Sequence, residues 1–579
     1  MSSRQRGRHL AFFVVAVALL GCSPRPQPPA DAPVPAVPAV AAPTAPKVLT
    51  IGQNTIVKTY GLREFSNPSG GGAALVEIHT AGLVTQDLQG GPEPRLAASL
   101  PSLQDGTIVL LPDGRMETTW KLRPNVKWHD GAPFTSEDVV FSVDAARRMD
   151  VQSGTASLNR QVESVRAPDP LTAVVTWRTT FYRALDMSYR TLWLYPRRLL
   201  GEALEGDREA FEAQPYFTTQ YVHLGPFRLV DFGLGEQQVF ERFDGYFLGR
   251  PKIDRIIIRS IQDGNAMLAN LKAGAIDMAS ESTLPGEVVM QVREEWRQSG
   301  GGTVHDRQDN WRSLWVQFDP QWAKPIELSQ DPRLRRGLLL GFDRYAVSEF
   351  LFPGFPNSRS DSFLLKSDAR GEVVGQPFAA FTYDAVQAAR SLAEGGWNRA
   401  ADGRLLGRDG QQVQIEFRSG GQQYVREAAL IADYWRQIGM EVSELVESPA
   451  QARDNEYQAR FTGLSASARG TGDGVFVNLD GRLQSGPENR WTGANIAHYS
   501  NASLDAQIDR LQATLDLREQ GQRMKEMASV LVDELPVMPL YFRIGFAATG
   551  RGVNALTADY PGTIGSGFMA RNAHQWDRD

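Results

Sequence analysis

Strands and helices alternate along most of this sequence, and that alternation predicts an α/β or mixed fold. About 530 residues follow the N-terminal segment, and a single core rarely organises more than about 250 residues, so two or three lobes are expected. The sole cysteine is Cys22, so disulfides are not expected to stabilise the lobes. A hydrophobic content of 42% allows the lobes to rest on their own cores.

The N-terminus has the organisation of a secretion signal. Arg4, Arg6 and Arg8 give it a positive start, and residues 10–20 form an apolar run of eleven residues. That run is too short for a bilayer core, which needs roughly 20 helical residues, and is typical of a signal peptide. It leads into Cys22 in a pattern that resembles the bacterial lipobox, so we expect the first 21 residues to be removed and Cys22 to be lipidated. The alternative is an ordinary signal peptide with a cysteine nearby by chance.

Residues 22–47 are predicted to be an extended tether. Nine of the 25 residues that follow Cys22 are Pro, and most of the others are Ala or Val. Proline fixes φ and lacks an N–H donor, so neither a helix nor a sheet is expected there. Such a segment is a semi-rigid spacer, and behind a lipid anchor it would hold the folded body away from a membrane.

The charge balance argues against a nucleic-acid-binding role. The formal net charge is −6, and it becomes more negative once the basic start is removed. We find no basic patch. No second apolar stretch in the sequence is long enough to cross a membrane.

The first half of the body predicts strands and helices in turn. Residues 116–123 alternate between apolar and polar and predict a half-buried strand. Thr135 predicts a helix cap, with Asp138 as its capping-box partner. Further elements are predicted as a strand at 256–258, a helix at 265–273 and a strand at 275–279.

The second half continues the same alternation. Asp331 followed by Pro332 predicts a helix start, and Asp343 opens a second helix through about residue 350. Three later elements are predicted as a helix at 424–438, a strand at 440–445 and a helix at 524–535.

Three segments resemble the family 5 bacterial extracellular solute-binding proteins, which include oligopeptide-, dipeptide- and nickel-binding proteins. The clearest is WKLRPNVKWHDGAPFTSEDVVFSV at residues 120–143, where Asn125 replaces the usual Gly and Trp128 the usual Phe. The other two are residues 225–278 and 331–344. Weaker matches lie at 81–87, 381–397 and 534–542.

The resemblance implies a two-lobe periplasmic-binding-protein-like fold of type II, with the extra subdomain of the peptide-binding class and a hinge between the lobes. Lobe I would take residues 48–308 with the subdomain inserted at about 76–209, lobe II would take 309–544, and 545–579 would return to lobe I. Two strands would cross between the lobes, near 303–309 and 542–548.

The same resemblance implies the substrate-binding lipoprotein of an ABC importer, which captures peptides or a related small solute and delivers it to a membrane permease. The expected partners are the ligand, the permease subunits and, through the lipid, the membrane. No cofactor, metal or enzymatic activity is expected. The protein is expected to be a monomer in the periplasm or cell envelope. A ligand sensor with the same fold is an alternative.

A secreted hydrolase is the other alternative. The seven His residues are scattered, and none forms a His-Glu-x-x-His pattern. Neither a Gly-x-Ser-x-Gly elbow nor a phosphate-binding Gly-x-x-x-x-Gly-Lys loop is present. His129 and Asp130, which a catalytic interpretation would single out, form a turn with Gly131 in the family.

The resemblance also suggests where the ligand lies. In oligopeptide-binding relatives, an Asp in an Ala-Asp-Tyr stretch holds the ammonium group of the peptide. Aligning this chain on Phe476 puts Arg469 at that position, and a shift of the Gly-containing loop would put Asp473 there instead. Relatives also carry a Glu four residues before a Leu-Asp-Pro. Here Lys58 takes that Glu position, the Leu-Asp-Pro is missing, and Tyr60 joins the predicted contacts.

Two basic residues at these positions would change the solute. A buried Arg repels a peptide ammonium but binds a carboxylate or phosphate through two parallel hydrogen bonds. We therefore expect a solute that carries an anionic group, or lacks a free N-terminal amine, facing Arg469 and Lys58. Two alternatives stay open: Asp473 preserves an amine site, or Arg469 lies on an exposed loop and touches nothing.

Overall fold

The structure is a computed structural model that describes residues 45–62, 74–149, 161–233, 236–281, 283–421, 424–448, 450–556 and 568–579. The predicted signal peptide, Cys22 and nearly all of the predicted tether lie outside these residues. The described part of the chain forms one compact unit that begins at Pro46.

The strands, numbered along the described residues, build one large sheet and several small ones. They are β1 Val48–Gln53, β2 Val84–Gln86, β3 Pro92–Pro94, β4 Ile108–Leu110, β5 Met116–Lys121, β6 Val162–Asp169, β7 Thr172–Trp177, β8 Phe227–Gly233, β9 Gln237–Arg242, β10 Arg255–Ser260, β11 Met278–Ala279, β12 Gly302–Val316, β13 Asn398–Arg399, β14 Leu405–Leu406, β15 Gln414–Ser419, β16 Glu441–Val446, β17 Leu464–Ser467, β18 Val537–Gly550, β19 Val553–Asn554 and β20 Asp577–Arg578. The large sheet has the order β16-β15-β17-β12-β18-β11-β1-β10-β9-β8.

Two long antiparallel strands, β12 and β18, join the halves of this sheet. They pair from Gly302 with Gly550 to Trp315 with Val537. Strands β11, β1, β10, β9 and β8 lie on the lobe I side, and β17, β15 and β16 lie on the lobe II side. The fold is therefore α/β with two lobes that share one sheet through two crossing strands. The predicted lobe boundaries at 308/309 and 544/545 fall within these strands.

Helices cover both halves of the sheet. Within the described residues the α-helices are Ser136–Met149, Arg197–Leu204, Arg208–Glu212, Gly264–Lys272, Gly286–Ser299, Glu327–Gln330, Pro332–Leu340, Arg344–Leu351, Gly371–Val374, Ala385–Glu394, Val425–Gln437, Asn455–Ala459, Gly474–Val477, Ala502–Gln512 and Leu517–Asp533. The largest core lies in lobe II around Trp311, Trp315 and Trp435, and separate cores lie in lobe I and its subdomain.

Local capping chemistry explains why several predicted helices begin where they do. Asp331 accepts a hydrogen bond from the Arg333 N–H, and Asp343 accepts from two N–H groups of the helix that follows it. These side chains satisfy amides that a helix start leaves without partners. The helix predicted after Thr135 is confirmed, and Asp138 accepts from the Thr135 N–H at 3.0 Å.

Two predicted elements differ in extent. The strand predicted at 275–279 is only Met278–Ala279, because Ala275 is still bonded to the end of the preceding helix through Asn270. The helix predicted at 524–535 is Leu517–Asp533, because Asp516 caps it earlier by accepting from Glu519.

The subdomain is a four-stranded sheet, β4-β5-β7-β6, packed against helix Ser136–Met149. His129 is buried beneath it, where its Nε2 bonds the Gly225 carbonyl at 3.0 Å and its Nδ1 accepts from the His223 N–H at 3.2 Å. Gly131 supplies the left-handed φ of 89° that the neighbouring turn requires. His129 is thus held as a neutral structural residue.

Candidate functional site

The carboxyl ends of parallel strands from both lobes converge on the middle of the crossing strands. In lobe I, β1 is parallel to β10 and β11. In lobe II, β15 is parallel to β16 and β17. The pairing of β11 with β18 and of β17 with β12 makes both sets end at the boundary between the lobes. Carboxyl ends of parallel strands are where α/β proteins commonly bind ligands, so this boundary is the candidate site.

A chain of mostly buried charges crosses this boundary, with Arg543 partly exposed. Arg543 on β18 bonds Asp309 on β12 at 2.8 Å, and Arg307 lies 3.8 Å from the same carboxylate. Arg307 also contacts Glu281, which follows β11. Burial raises the pKa of Glu281, and the Arg307 guanidinium opposes that rise. Buried charges of this kind need opposite charges beside them, and here each carboxylate has one.

A second ion pair lies deeper on the lobe II side. Arg312 on β12 binds both oxygens of Glu427, with Nε and a terminal nitrogen at 2.8 and 2.7 Å. The guanidinium carbon lies 3.6 Å from the centre of the Tyr424 ring. The Tyr541 hydroxyl from β18 donates to the same carboxylate, and burial together with that carboxylate raises the Tyr541 pKa. This group ties both crossing strands to helix Val425–Gln437.

Arg469 follows the end of β17 at the boundary and is half-buried. Burial lowers its pKa, and the Glu447 carboxylate opposes that effect. Within the described residues its guanidinium makes no ion pair. Gly470 and Gly472, with φ of 68° and 64°, turn the loop sharply, and the Thr471 hydroxyl between them accepts from the Trp311 N–H at 3.2 Å. The loop that carries Arg469 is therefore tied to a crossing strand.

Asp473 is already bonded. Its carboxylate accepts from Arg370 at 3.0 Å and from the hydroxyl of Tyr182, which belongs to the subdomain. Burial raises the Asp473 pKa, and the guanidinium groups of Arg370 and Arg183 more than offset this and hold it low. Asp473 thus links lobe II to the subdomain of lobe I.

The other two predicted contacts differ from each other in burial. Lys58 is exposed. Tyr60 is 2% exposed and packs in the lobe I core against the rings of His79, Tyr221 and Phe232. The described contacts of Tyr60 therefore fit a packing role.

Sequence reasoning missed most of the charged residues at this boundary, which are Glu281, Arg307, Asp309, Arg312, Glu427 and Arg543. The sequence gives little signal for them, because residues 305–310 of β12 are all polar, and only the structure shows that Arg307 and Asp309 among them are buried. Charged residues are rarely buried unless they are paired, so they mark a special position.

Within the described ranges, no three or more His, Cys, Asp or Glu side chains are grouped to hold a metal ion. No helix among the described residues combines the length and the apolar character needed to cross a membrane.

A two-lobe α/β fold with a polar site between its lobes defines a binding protein of the periplasmic type. A profile of the family described as bacterial extracellular solute-binding proteins, family 5 Middle, matches residues 91–482. The chain belongs to this family, as its motifs predict.

Known proteins of several binding specificities are similar to it. The oligopeptide-binding protein AppA of Bacillus subtilis is 23% identical over 463 residues, which cover 74% of this chain and 76% of that protein. A periplasmic oligopeptide-binding structure from Thermotoga maritima has a TM-score of 0.74 at 17% identity, covering 92% of this chain and 99% of that one. NikZ from Campylobacter jejuni, in complex with Ni(L-His), has a TM-score of 0.71 at 18% identity, covering 92% of this chain and 100% of that one. These structures support the two-lobe fold.

Proposed function

We propose that this solute-binding protein captures a peptide or a related small solute between its lobes and delivers it to an ABC permease. The observation that carries the proposal is the convergence of the parallel strands of both lobes on a buried, charged boundary. A ligand stabilises a closed arrangement only through contacts with both lobes, and this boundary offers groups from both. The closed form would be what the permease recognises.

The solute carries an anionic group or lacks a free N-terminal amine. Asp473 is occupied by Arg370 and Tyr182, so an ammonium group would have to displace a buried ion pair. Arg469, by contrast, has no ion pair in the described part of the chain, and desolvation makes its charge costly to leave alone. An anionic solute would supply the missing partner. Lys58 is exposed, and its positive charge would attract the anionic solute.

A ligand screen with scattering tests both statements. Peptides, blocked peptides, opines and anionic conjugates are screened by thermal shift against the wild type and an Arg469→Ala variant. We expect anionic or amine-blocked compounds to stabilise the wild type more than the variant, and the radius of gyration to fall on binding. Free-amine peptides that bind both proteins equally would remove Arg469 from the site, and an unchanged radius at saturation would contradict closure.

The proposal includes a lipid anchor at Cys22, in the sequence outside the described residues. Its support is the apolar run before Cys22 and the Pro-rich segment after it. Stable anchoring needs more than one acyl chain, which lipoprotein modification supplies. We expect Cys22→Ala to move the protein from the membrane fraction to the soluble fraction of the envelope. Continued membrane association of that variant would contradict the anchor.

A further inference from the structure

Arg418 on β15 is a buried guanidinium without an acidic partner in the described part of the chain. It is 4% exposed, donates to the Tyr457 carbonyl at 2.6 Å, and lies 4.1 Å from the centre of that ring. Its Nε is buried and bonds no described residue. Lobe II has three residues outside the described ranges, which are Gln422, Gln423 and Pro449. None of the three has a carboxylate side chain that could pair with Arg418. The buried Arg312 nearby does have its carboxylate, Glu427.

Two serine hydroxyls on the same face of the sheet also have no hydrogen-bond partner among the described residues. Ser313 on β12 is directly opposite Ser467 on β17, and both Oγ atoms are buried with no hydrogen bond to a described residue. Arg418 is opposite Ser465 on β17, and alternate residues of a strand share a face. Strand spacing puts the Cα atoms of Arg418 and Ser467 about 8 Å apart. A long arginine side chain spans most of that distance.

Arg469 adds a second guanidinium two residues beyond Ser467. The one carboxylate whose field acts on it is Glu447, which is 4% exposed and accepts from Gln458 at 2.7 Å. Two guanidinium groups and one carboxylate leave a single positive charge at the ends of β15 and β17. A monoanion balances that charge, whereas a dianion would also face the repulsion of Glu447.

We infer that Arg418, Arg469, Ser313 and Ser467 form a carboxylate-binding subsite of lobe II. A planar carboxylate accepts from a guanidinium through one oxygen and from hydroxyl donors through the other, which satisfies donors that the described part of the chain leaves unused. The inference rests on the proposed function, and it names the group by which the solute is held in this lobe.

Paired probes test the subsite. The full-length protein is titrated by calorimetry with N-acetylated tripeptides, dicarboxylic acids and N-carboxyalkyl amino acids, each as the free acid and as its amide. The proteins are the wild type, Arg418→Lys, Ser467→Ala and the control Arg510→Gln, which removes an exposed charge from the same lobe. Lysine keeps the charge at 418 but loses the guanidinium fork.

We expect the wild type to bind the tightest-binding acid among the probes about tenfold or more tightly than the corresponding amide, because the amide loses one charge-assisted hydrogen bond. In Arg418→Lys and Ser467→Ala this acid-to-amide ratio falls towards one, and in Arg510→Gln it is unchanged. The ratio is a property of folded protein, so partial misfolding of a variant does not move it. A wild type that binds acids and amides equally would overturn the subsite and leave solute capture intact. A wild type that binds none of the probes or free-amine peptides would count against both.

Discussion

At the scale of single residues, the boundary between the lobes depends on paired buried charges. Arg312 and Glu427 are 3% and 0% exposed at their side chains, and each is the other's counter-ion. A buried pair is weak evidence of net stability, but removal of one partner leaves a charge that the interior cannot solvate. Replacing one member of the pair should therefore lower the free energy of unfolding far more than replacing both members together.

The first prediction follows from that asymmetry. Arg312→Leu should lower the free energy of unfolding by about 3–5 kcal/mol, because Glu427 stays buried without its partner. Arg312→Leu combined with Glu427→Leu should recover most of that loss. Denaturant titration measures both. The control is Arg297→Ala, which removes an ion pair with Glu294 that is 71% and 57% exposed and should cost no more than about 1 kcal/mol. Equal losses in the single and double variants would contradict this account.

Buried histidines and one buried glutamate give lobe I opposing responses to pH. Burial lowers the pKa of His79 to about 3 and that of His129 to about 4. Burial raises the pKa of Glu77 to about 7, against the pull of Arg95. The histidines contribute stability that is present above their unfolded pKa near 6.5 and is lost as pH falls. Glu77 contributes stability that is present below its unfolded pKa near 4.5 and is lost as pH rises through about 7.

The second prediction isolates the glutamate. When the pH is lowered from 7 to 5, each of these histidines should lower the free energy of unfolding by about 2 kcal/mol. Protonation of Glu77 in the folded protein should raise it by about 2 kcal/mol over the same range. Glu77→Gln removes the offset, because glutamine cannot take up the proton. We expect its unfolding free energy to fall about 2 kcal/mol further than that of the wild type over this range, measured by urea titration at each pH. Parallel pH profiles for the two proteins would show that Glu77 is not the titrating group.

At the scale of elements, the sequence predicted what local chemistry determines. Asp331, Asp343 and the Thr135–Asp138 pair start helices because capping acts within a few residues. Strand Met278–Ala279 is shorter than predicted because its extent depends on pairing with β1 and β18, far away in the sequence. Most of the proposed subsite escaped prediction for the same reason, and Arg469 is the one member that the sequence predicted. Arg418, Ser467 and Ser313 come together only through the register of three strands.

The backbone of the crossing strand β18 approaches a buried charge closely at one of its glycines. At Gly545, an added Cβ would collide with the Glu281 carboxylate. Glu281 is fully buried and paired with Arg307, so it has little room to move aside. The third prediction is that Gly545→Ala lowers the unfolding free energy by about 1–3 kcal/mol, the usual cost of overpacking. Gly371→Ala is the control, because a Cβ there would meet nothing within 4 Å. Equal stability of both variants would contradict the close approach.

At the scale of the whole molecule, the lobes touch outside the crossing strands as well. The hydroxyl of Tyr182, in the 3-10 turn Tyr182–Leu185 of the subdomain, donates to Asp473 of lobe II. Burial and the Asp473 charge raise the Tyr182 pKa, so this hydroxyl remains protonated and able to donate. Arg370 holds Asp473 in place from within lobe II. The contact joins the two lobes without any ligand, and it should therefore bias the free protein towards the closed arrangement.

The fourth prediction tests that bias with the smallest available change. Tyr182→Phe removes one hydroxyl and leaves a buried carboxylate with one donor fewer, which weakens the closed state by about 1–3 kcal/mol. A two-state equilibrium responds to such a change by about five- to 150-fold in its population ratio. We expect the free variant to have a larger radius of gyration in solution scattering than the free wild type, and its ligand affinity to fall in proportion to the loss of the closed fraction, by no more than that factor. Saturating ligand should bring both proteins to the same radius, because the ligand then supplies the closing contacts.

Tyr383→Phe is the matched control, since Tyr383 is 41% exposed and packs against Tyr434 within lobe II. If the free Tyr182→Phe protein and the control have the wild-type radius and affinity, the Tyr182–Asp473 contact does not govern closure.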